Sequence, residues 1–282
     1  MREALGDGYA EGMDCGELGS AIQKVTVGSA PGEHSLRQAQ AMKDVLLAVE
    51  DSLGDTEGRL DPGLREPLAV ALADYAADTH MVLGIENTEY TRKGSPSEPA
   101  WKDADGVHLA VSRDSLLRTV RAVSADPSAY VTVRTAATRT AAEELAEIRQ
   151  GTTGDELTAP PVWNAHVLGS LDAIAADVRR DLGGGEATAW SRAVFTGLTD
   201  GTPESPPTYS EDPVGHLVDS WRELLRTADP ADDPDFIEKE NVVVIDVWGT
   251  ALGLGETTTK AIARDGLGSA HDAGTHVLKT LD

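Results

Sequence analysis

Asp-Pro occurs five times in this chain, and four of the pairs stand directly ahead of an apolar stretch with helical spacing. The four are Asp61-Pro62, Asp126-Pro127, Asp212-Pro213 and Asp233-Pro234; the fifth, Asp229-Pro230, reads as an acidic turn between two helices. An Asp at the N-cap accepts hydrogen bonds from the free N–H groups of the first helical turn. Pro at the next position has no N–H to leave unsatisfied, and its fixed φ suits a helix. Repetition of this device predicts consecutive helices joined by acidic turns. The expected fold class is therefore all-α, a multi-helix bundle of about eight or nine amphipathic helices.

The apolar stripes place the elements. Leu36, Ala39, Met42, Leu46, Val49 and Leu53 mark a first clear helix over 34–53, after a Gly-rich N-terminal segment, 1–30, with one short helix near 17–24. Leu64, Leu68, Leu72, Tyr75 and Val82 continue the pattern over 62–83, with Gly84 as its stop. The stretch 85–108 breaks the pattern with Gly94-Ser95-Pro96 and many charges, and is expected to be a long loop. Connections of that length in compact domains tend to be functional or disordered. Ser112 caps a helix over 112–124, and further helices follow over 127–150, 161–182 and 187–198, with Gly183-Gly184-Gly185 stopping the one at 161–182. Pro203, Pro206 and Pro207 among acids mark 200–212 as a linker. The expected organisation is thus a poorly structured 1–30, a main helical domain at 31–199, the linker 200–212, and a C-terminal helical region at 213–282. Within the last region Val242-Val243-Val244-Ile245-Asp246-Val247-Trp248 has strand propensity. An isolated strand has nothing to pair with there, so helix is the expectation.

Charge narrows the function classes. With 48 acidic against 24 basic residues the formal net charge is −24. Such a field repels nucleic acid and anionic lipid, whose binding needs clustered Lys and Arg, so no nucleic-acid partner is expected. Aromatic residues make up only 4% of the chain, which favours close helix packing through Ala, Leu and Val. Cys15 is alone, so it forms no intramolecular disulfide and no thiolate metal site. Met1-Arg2-Glu3-Ala4-Leu5-Gly6-Asp7-Gly8 lacks the apolar core of a signal peptide. No run of about 18 apolar residues exists, so no stable membrane span is expected. The protein is expected to be cytoplasmic or exported by a signal-independent route.

Candidate chemistry is sparse. Val242 to Trp248, then Gly249-Thr250-Ala251-Leu252-Gly253-Leu254-Gly255, has the order strand, glycine loop, helix found in phosphate-binding designs. It lacks Gly-Lys-Ser/Thr, has Thr258 where the dinucleotide fingerprint needs glycine, and leaves too little chain for another βαβ unit. Asp74 and Asp78, at i and i+4, could share a metal on one helix face or serve a hydrolase, while His80 points round the helix from them. Their simpler reading is a solvated acidic face. His271 and His276 sit about 140° apart on a helix and do not converge. His34, His108, His166 and His216 are scattered singly. Trp163 and Trp221 read as packing anchors. No catalytic, cofactor-binding or metal-ligating residue is assigned, and no cofactor is expected.

Certain stretches carry a resemblance. They are Gln40-Ala41-Met42-Lys43-Asp44-Val45; Leu64-Arg65-Glu66-Pro67-Leu68 leading into Leu72-Ala73-Asp74-Tyr75-Ala76-Ala77-Asp78; Leu116-Leu117-Arg118-Thr119-Val120 with Ser124-Ala125-Asp126-Pro127-Ser128-Ala129-Tyr130; and Ala141-Ala142-Glu143-Glu144-Leu145. In their order this chain resembles a family of uncharacterised helical proteins from actinomycetes. The resemblance spans about 36–182, with a weaker echo toward the C-terminus. It implies a large secretion-associated protein linked with type VII (WXG-type) export, and this shorter chain would be a truncated or trimmed member. The matching positions are caps and packing residues, so no catalytic residue carries over. The function expected on these grounds is a non-enzymatic structural or interaction module of an export-associated or inter-bacterial protein, pairing with a protein partner or a second copy. The alternatives are a toxin-like hydrolase using Asp74, Asp78 or the 85–108 segment, and membrane insertion by the Gly-rich C-terminal helix at 249–281.

Overall fold

Helix starts are where the aspartates act. In a computed structural model, which describes residues 14–30, 32–85, 87–203, 205–227 and 241–282, Asp61 Oδ1 accepts the Gly63 N–H at 2.8 Å. Asp126 Oδ1 takes those of Ser128 and Ala129, and Asp212 Oδ1 takes that of Gly215. Each of these three Asp-Pro pairs opens a helix. Asp229-Pro230 and Asp233-Pro234 lie outside the described residues.

The described residues form twelve helices and one two-stranded hairpin, an all-α multi-helix fold. In chain order these are α1 (Cys15–Thr26), α2 (Leu36–Asp55), α3 (Pro62–Asp74), α4 (Ala76–Leu83), α5 (Thr88–Lys93), β1 (Trp101–Lys102), β2 (Val107–His108), α6 (Arg113–Val123) and α7 (Pro127–Ala146). Then come α8 (Asp155–Leu182), α9 (Gly184–Thr199), α10 (Pro213–Leu225), α11 (Asn241–Ala251) and α12 (Glu256–Leu281). The stretch expected as one helix over 62–83 is two, because Tyr75 (φ −99°, ψ 31°) leaves the helical basin between α3 and α4. Its hydroxyl donates to the Thr26 carbonyl at 2.9 Å, which holds the joint against the end of α1. The 85–108 segment is not a plain loop, since it folds into α5 and the hairpin. The 161–182 helix starts earlier, at Asp155, after Gly154 adopts φ 67°. Pro160 and Pro161 fall inside it and each removes one ladder donor. The 242–248 stretch is helical, with Val244, Ile245 and Trp248 buried and the Trp248 indole donating to the Leu145 carbonyl.

The chain divides into two compact units, Met1–Val133 and Arg134–Thr280. The division falls inside α7, not at 200–212. The expected linker is fastened to α10, where His216 Nδ1 lies 2.8 Å from the Pro207 carbonyl and its ring meets Tyr209 edge-on. Residues 15–26 of the N-terminal segment are the well-formed helix α1, capped by Asp14.

The first unit's core gathers Met42, Leu46, Leu68, Leu72, Leu117 and Val123 from α2, α3 and α6. In the second unit α8 and α12 approach through small residues. A Cβ on Gly169 would come within 2.6 Å of the Ala270 backbone, and one on Gly266 within 3.2 Å of Ala165 Cβ. Beside them Arg134 is fully buried, paired with Asp172 and lying over the Trp221 ring. No described helix is long and apolar enough to cross a membrane.

Candidate functional site

Asp74, Asp78 and His80 are 8%, 4% and 1% exposed, so the solvated acidic face expected of them is overturned. The reason is the break at Tyr75 together with two histidines from distant sequence, which supply each carboxylate with a partner inside the first unit. Asp74 and Asp78 do not share a ligand position. Each serves a separate buried polar cluster.

The larger cluster centres on Asp78 in the first turn of α4. Its Oδ1 accepts the Tyr90 hydroxyl at 2.6 Å and lies 3.1 Å from His108 Nδ1, while Oδ2 accepts the Leu109 N–H at 3.2 Å. His108 Nε2 lies 3.0 Å from Asp103 Oδ1, so the imidazole is clamped between two carboxylates. The first consequence is electrostatic. The hydrogen bond to Asp78, joined by that to Asp103, outweighs burial and raises the His108 pKa to about 9. At neutral pH the ring is an imidazolium donating from both nitrogens. Asp103 is held below the usual carboxylate range, chiefly by the Asp105 N–H and also by His108 and the Gly106 N–H. Burial, then the charge and hydrogen bond of Asp78, push the Tyr90 phenol up.

Local folding explains how these residues meet. Asn87 caps α5 by accepting the Glu89 and Tyr90 N–H groups, which sets Tyr90 one turn in. The hairpin register pairs Trp101 with His108, and such directly opposed side chains contact on one face. Their rings lie 5.3 Å apart, with Tyr90 edge-on to Trp101 at 5.0 Å. From α2, buried Lys43 donates to the Lys93 and Ser95 carbonyls at 2.7 and 3.0 Å, and Gln40 accepts the Ala100 N–H. Three anchors, Lys43, Gln40 and Asp78, thus fasten the 85–108 insert to the helices below it.

The smaller cluster is Asp74 with His34. Asp74 Oδ2 accepts the Gly28 N–H at 2.8 Å. His34 Nδ1 lies 3.1 Å from the same oxygen, within ion-pair distance but without hydrogen-bond alignment. The His34 ring stacks on Tyr75 at 3.8 Å, and burial pushes its pKa down despite the Asp74 charge.

Beside the larger cluster, between α4, α5 and the start of α6, lies a cavity of about 370 Å³. Met81, Val82, Tyr90, Pro96 and Val111 give it apolar walls, and Asn87, Ser112 and Arg113 its polar ones. A second cavity, of about 390 Å³, is lined by Glu144, Glu147, Glu156 and Arg149 in the second unit. Among the described residues no group of three His, Cys, Asp or Glu could hold a metal ion. His271 and His276 are both exposed, and His166 meets Ser269 Oγ at 3.2 Å.

Sequence reasoning singled out Asp74 and Asp78 but missed what they contact. Tyr90, Asp103 and His108 come from a segment without periodic pattern, and His34 stands at the edge of the expected 34–53 helix, off its apolar stripe. Lys43 carried one usable signal, a cation inside the stripe of Ala39, Met42 and Leu46.

The fold and cluster together define an all-α protein with a buried acid–imidazole lock beneath a small folded insert. No protein-family model, curated protein or solved structure matches the chain.

Proposed function

We propose that the chain is a non-enzymatic helical interaction module, and that its setting is the one its sequence resemblance implies, an export-associated or inter-bacterial actinomycete protein. One observation carries the non-enzymatic half. Of the residue types that could serve hydrolysis, Asp78, His108 and Tyr90 bond to one another, Asp78 also accepts the Leu109 N–H, and Asp103 Oδ1 accepts the Asp105 and Gly106 N–H groups beside His108. A general base needs a lone pair directed at a substrate proton. The doubly clamped imidazolium of His108 has none at neutral pH, and its partners hold the insert in place. The hydrolase alternative at Asp74 and Asp78 is correspondingly weaker, since the two carboxylates serve different partners.

The interaction half is supported by the shallow groove between α8 and α12, lined by Ala173, Ala176, Leu267 and Leu278, where Leu267 is half exposed. A contacting helix can lie in such a groove. The test is light scattering across a concentration series, with co-elution against the products of adjacent genes. Self-association or a stoichiometric complex is expected. A strictly monomeric chain that binds none of those products overturns the proposal.

A further inference from the structure

We propose that residues 87–108, α5 with the hairpin, form a flap held shut by the protonated His108, and that removing this one proton frees the flap as a unit while the helices beneath it stay folded. Each ring nitrogen of His108 faces a carboxylate, Nδ1 at 3.1 Å from Asp78 Oδ1 and Nε2 at 3.0 Å from Asp103 Oδ1. Ionised carboxylates only accept, so both contacts are hydrogen bonds only in the imidazolium. A neutral ring has one N–H and turns a lone pair on the other carboxylate. Asp103 is exposed and can turn to water. Asp78 is 4% exposed and is left as a buried anion without its counter-charge, a costly state that opening the flap relieves. The flap has little else to hold it. Of residues 87–108 only Tyr90, Gly94 and Ala100 are buried, so the body holds it mainly through the polar anchors at Asp78, Lys43 and Gln40. Segments with so few buried apolar contacts open at far lower cost than a helical core. The opening stops at Leu109, Ala110 and Val111, which are all buried.

Of the three anchors, only the one at Asp78 weakens on deprotonation. To the ring of His108, α4 brings Asp78 and, two residues on, buried His80. The hairpin turn brings Asp103, and α5 brings the Tyr90 hydroxyl, 3.1 Å from Nδ1. Lys93, also of α5, lies over the Trp101 ring and pairs with Glu98. From β1 comes Lys102, on the face opposite Trp101. From α2 comes Lys43, whose burial makes its ammonium easier to deprotonate. A neutral Lys43 amine still has two N–H groups for the Lys93 and Ser95 carbonyls, so its titration releases neither. Burial and the Asp78 charge push the Tyr90 phenol up, so it keeps its proton. His108, at about 9, is the group that changes state.

The experiment is limited proteolysis of the full chain with trypsin between about pH 7.5 and 9.5, where cleavage tracks the open fraction when reclosing outpaces cutting. Cleavage after Arg92 and Lys93 is read by mass spectrometry against a peptide of residues 87–108, which corrects for trypsin's own pH dependence. With the His108 pKa at about 9 in the closed state and the usual 6.5 in the open one, the open fraction should rise at least about tenfold over this range. Cleavage after Arg65 in α3 and Arg118 in α6 should stay flat, which separates flap opening from global unfolding. Asp103→Asn keeps an acceptor in the turn but removes one clamping charge, so its rise should begin at lower pH. His108→Gln should be cut fast at pH 7.5 and show no rise. If His108→Gln fails to fold, the wild type and Asp103→Asn decide alone. A corrected rise below about tenfold, a parallel rise at Arg65 and Arg118, an unchanged profile in Asp103→Asn, or a rise that persists in folded His108→Gln overturns the proposal.

Discussion

His34 and His108 bind a proton with opposite preferences, and both lean on an aspartate of the α3–α4 region. His108 is raised from the usual 6.5 to about 9, so the folded state holds its proton more tightly than the unfolded chain. Its contribution is fully present below about pH 6.5 and is lost as pH rises through about 9. His34 is lowered by burial, so the folded state resists protonating it. That contribution is present above about pH 6.5 and is lost as pH falls through the lower folded value. Stability carried by the two rings should therefore peak near pH 6.5. In denaturant titrations from pH 5 to 10, His108→Gln should cost about 2 kcal/mol near pH 6, after discounting for the solvent that reaches the ring. That gap should shrink steadily toward pH 9.5. His34→Gln should instead flatten the loss of stability below pH 6.5. A wild-type-minus-His108→Gln gap that stays constant with pH would refute the imidazolium assignment. None of this was readable along the chain. Asp78 and His108 are thirty residues apart, and only the hairpin register and the Asn87 cap bring His108 and Tyr90 to the same carboxylate. What the sequence did contain was Asp74 and Asp78 opposite an apolar stripe, a pattern that an exposed acidic face produces equally well.

Helices were legible wherever a cap and a stripe agreed. Asp61, Asp126, Asp212 and Ser112 each accept first-turn N–H groups at the helix start their sequence implied. Asp212→Ala should therefore cost about 1 kcal/mol in a thermal or chemical melt, with Pro213 still setting the first φ. No change in stability would mean that Asp212 does no capping in solution. The failures have equally local causes. Leu68, Leu72, Tyr75 and Val82 run on in step through Tyr75, so periodicity could not reveal the break there. Pro160 and Pro161 suggested a late start for α8, yet the helix bridges them because Gly154 turns the chain into it earlier. A glycine inside a helix costs about 1 kcal/mol against Ala, and α8 carries Gly169 while α12 carries Gly266, Gly268 and Gly274. At Gly169 that cost has a packing return, because a Cβ there would lie 2.6 Å from the Ala270 backbone. Gly169→Val should destabilise the second unit by roughly 2–3 kcal/mol, because the obstacle is backbone, which cannot rotate away. A variant as stable as the parent would show that the two helices do not pack at this distance.

At the scale of the whole molecule the governing quantity is charge. The 24 basic residues are far too few to neutralise 48 acidic ones, so folding gathers net repulsion that the extended chain dilutes. Several ion pairs oppose it, but Lys260–Glu256 and Arg139–Glu143 are exposed. Pairs of that kind contribute only about 0–1 kcal/mol each. Arg134–Asp172 is buried, and salt screens such pairs much less. Added salt therefore relieves more repulsion than attraction. The same composition, rich in Ala and poor in aromatics, made helix packing legible from the sequence. It did not disclose the division at Val133 and Arg134, because the stripe of Tyr130, Val133, Ala137 and Ala141 runs unbroken across it. Between about 10 and 100 mM potassium chloride the screening length falls from roughly 30 Å to 10 Å, which spans the spacing of surface charges. A gain of about 1–2 kcal/mol over that range corresponds to a melting temperature higher by roughly 2–6 °C. Chloride is preferred to sulfate here, because sulfate also strengthens apolar burial and would raise stability by another route. A melting temperature that falls with potassium chloride would mean that attractive pairs, rather than the acidic excess, dominate the electrostatics of this fold.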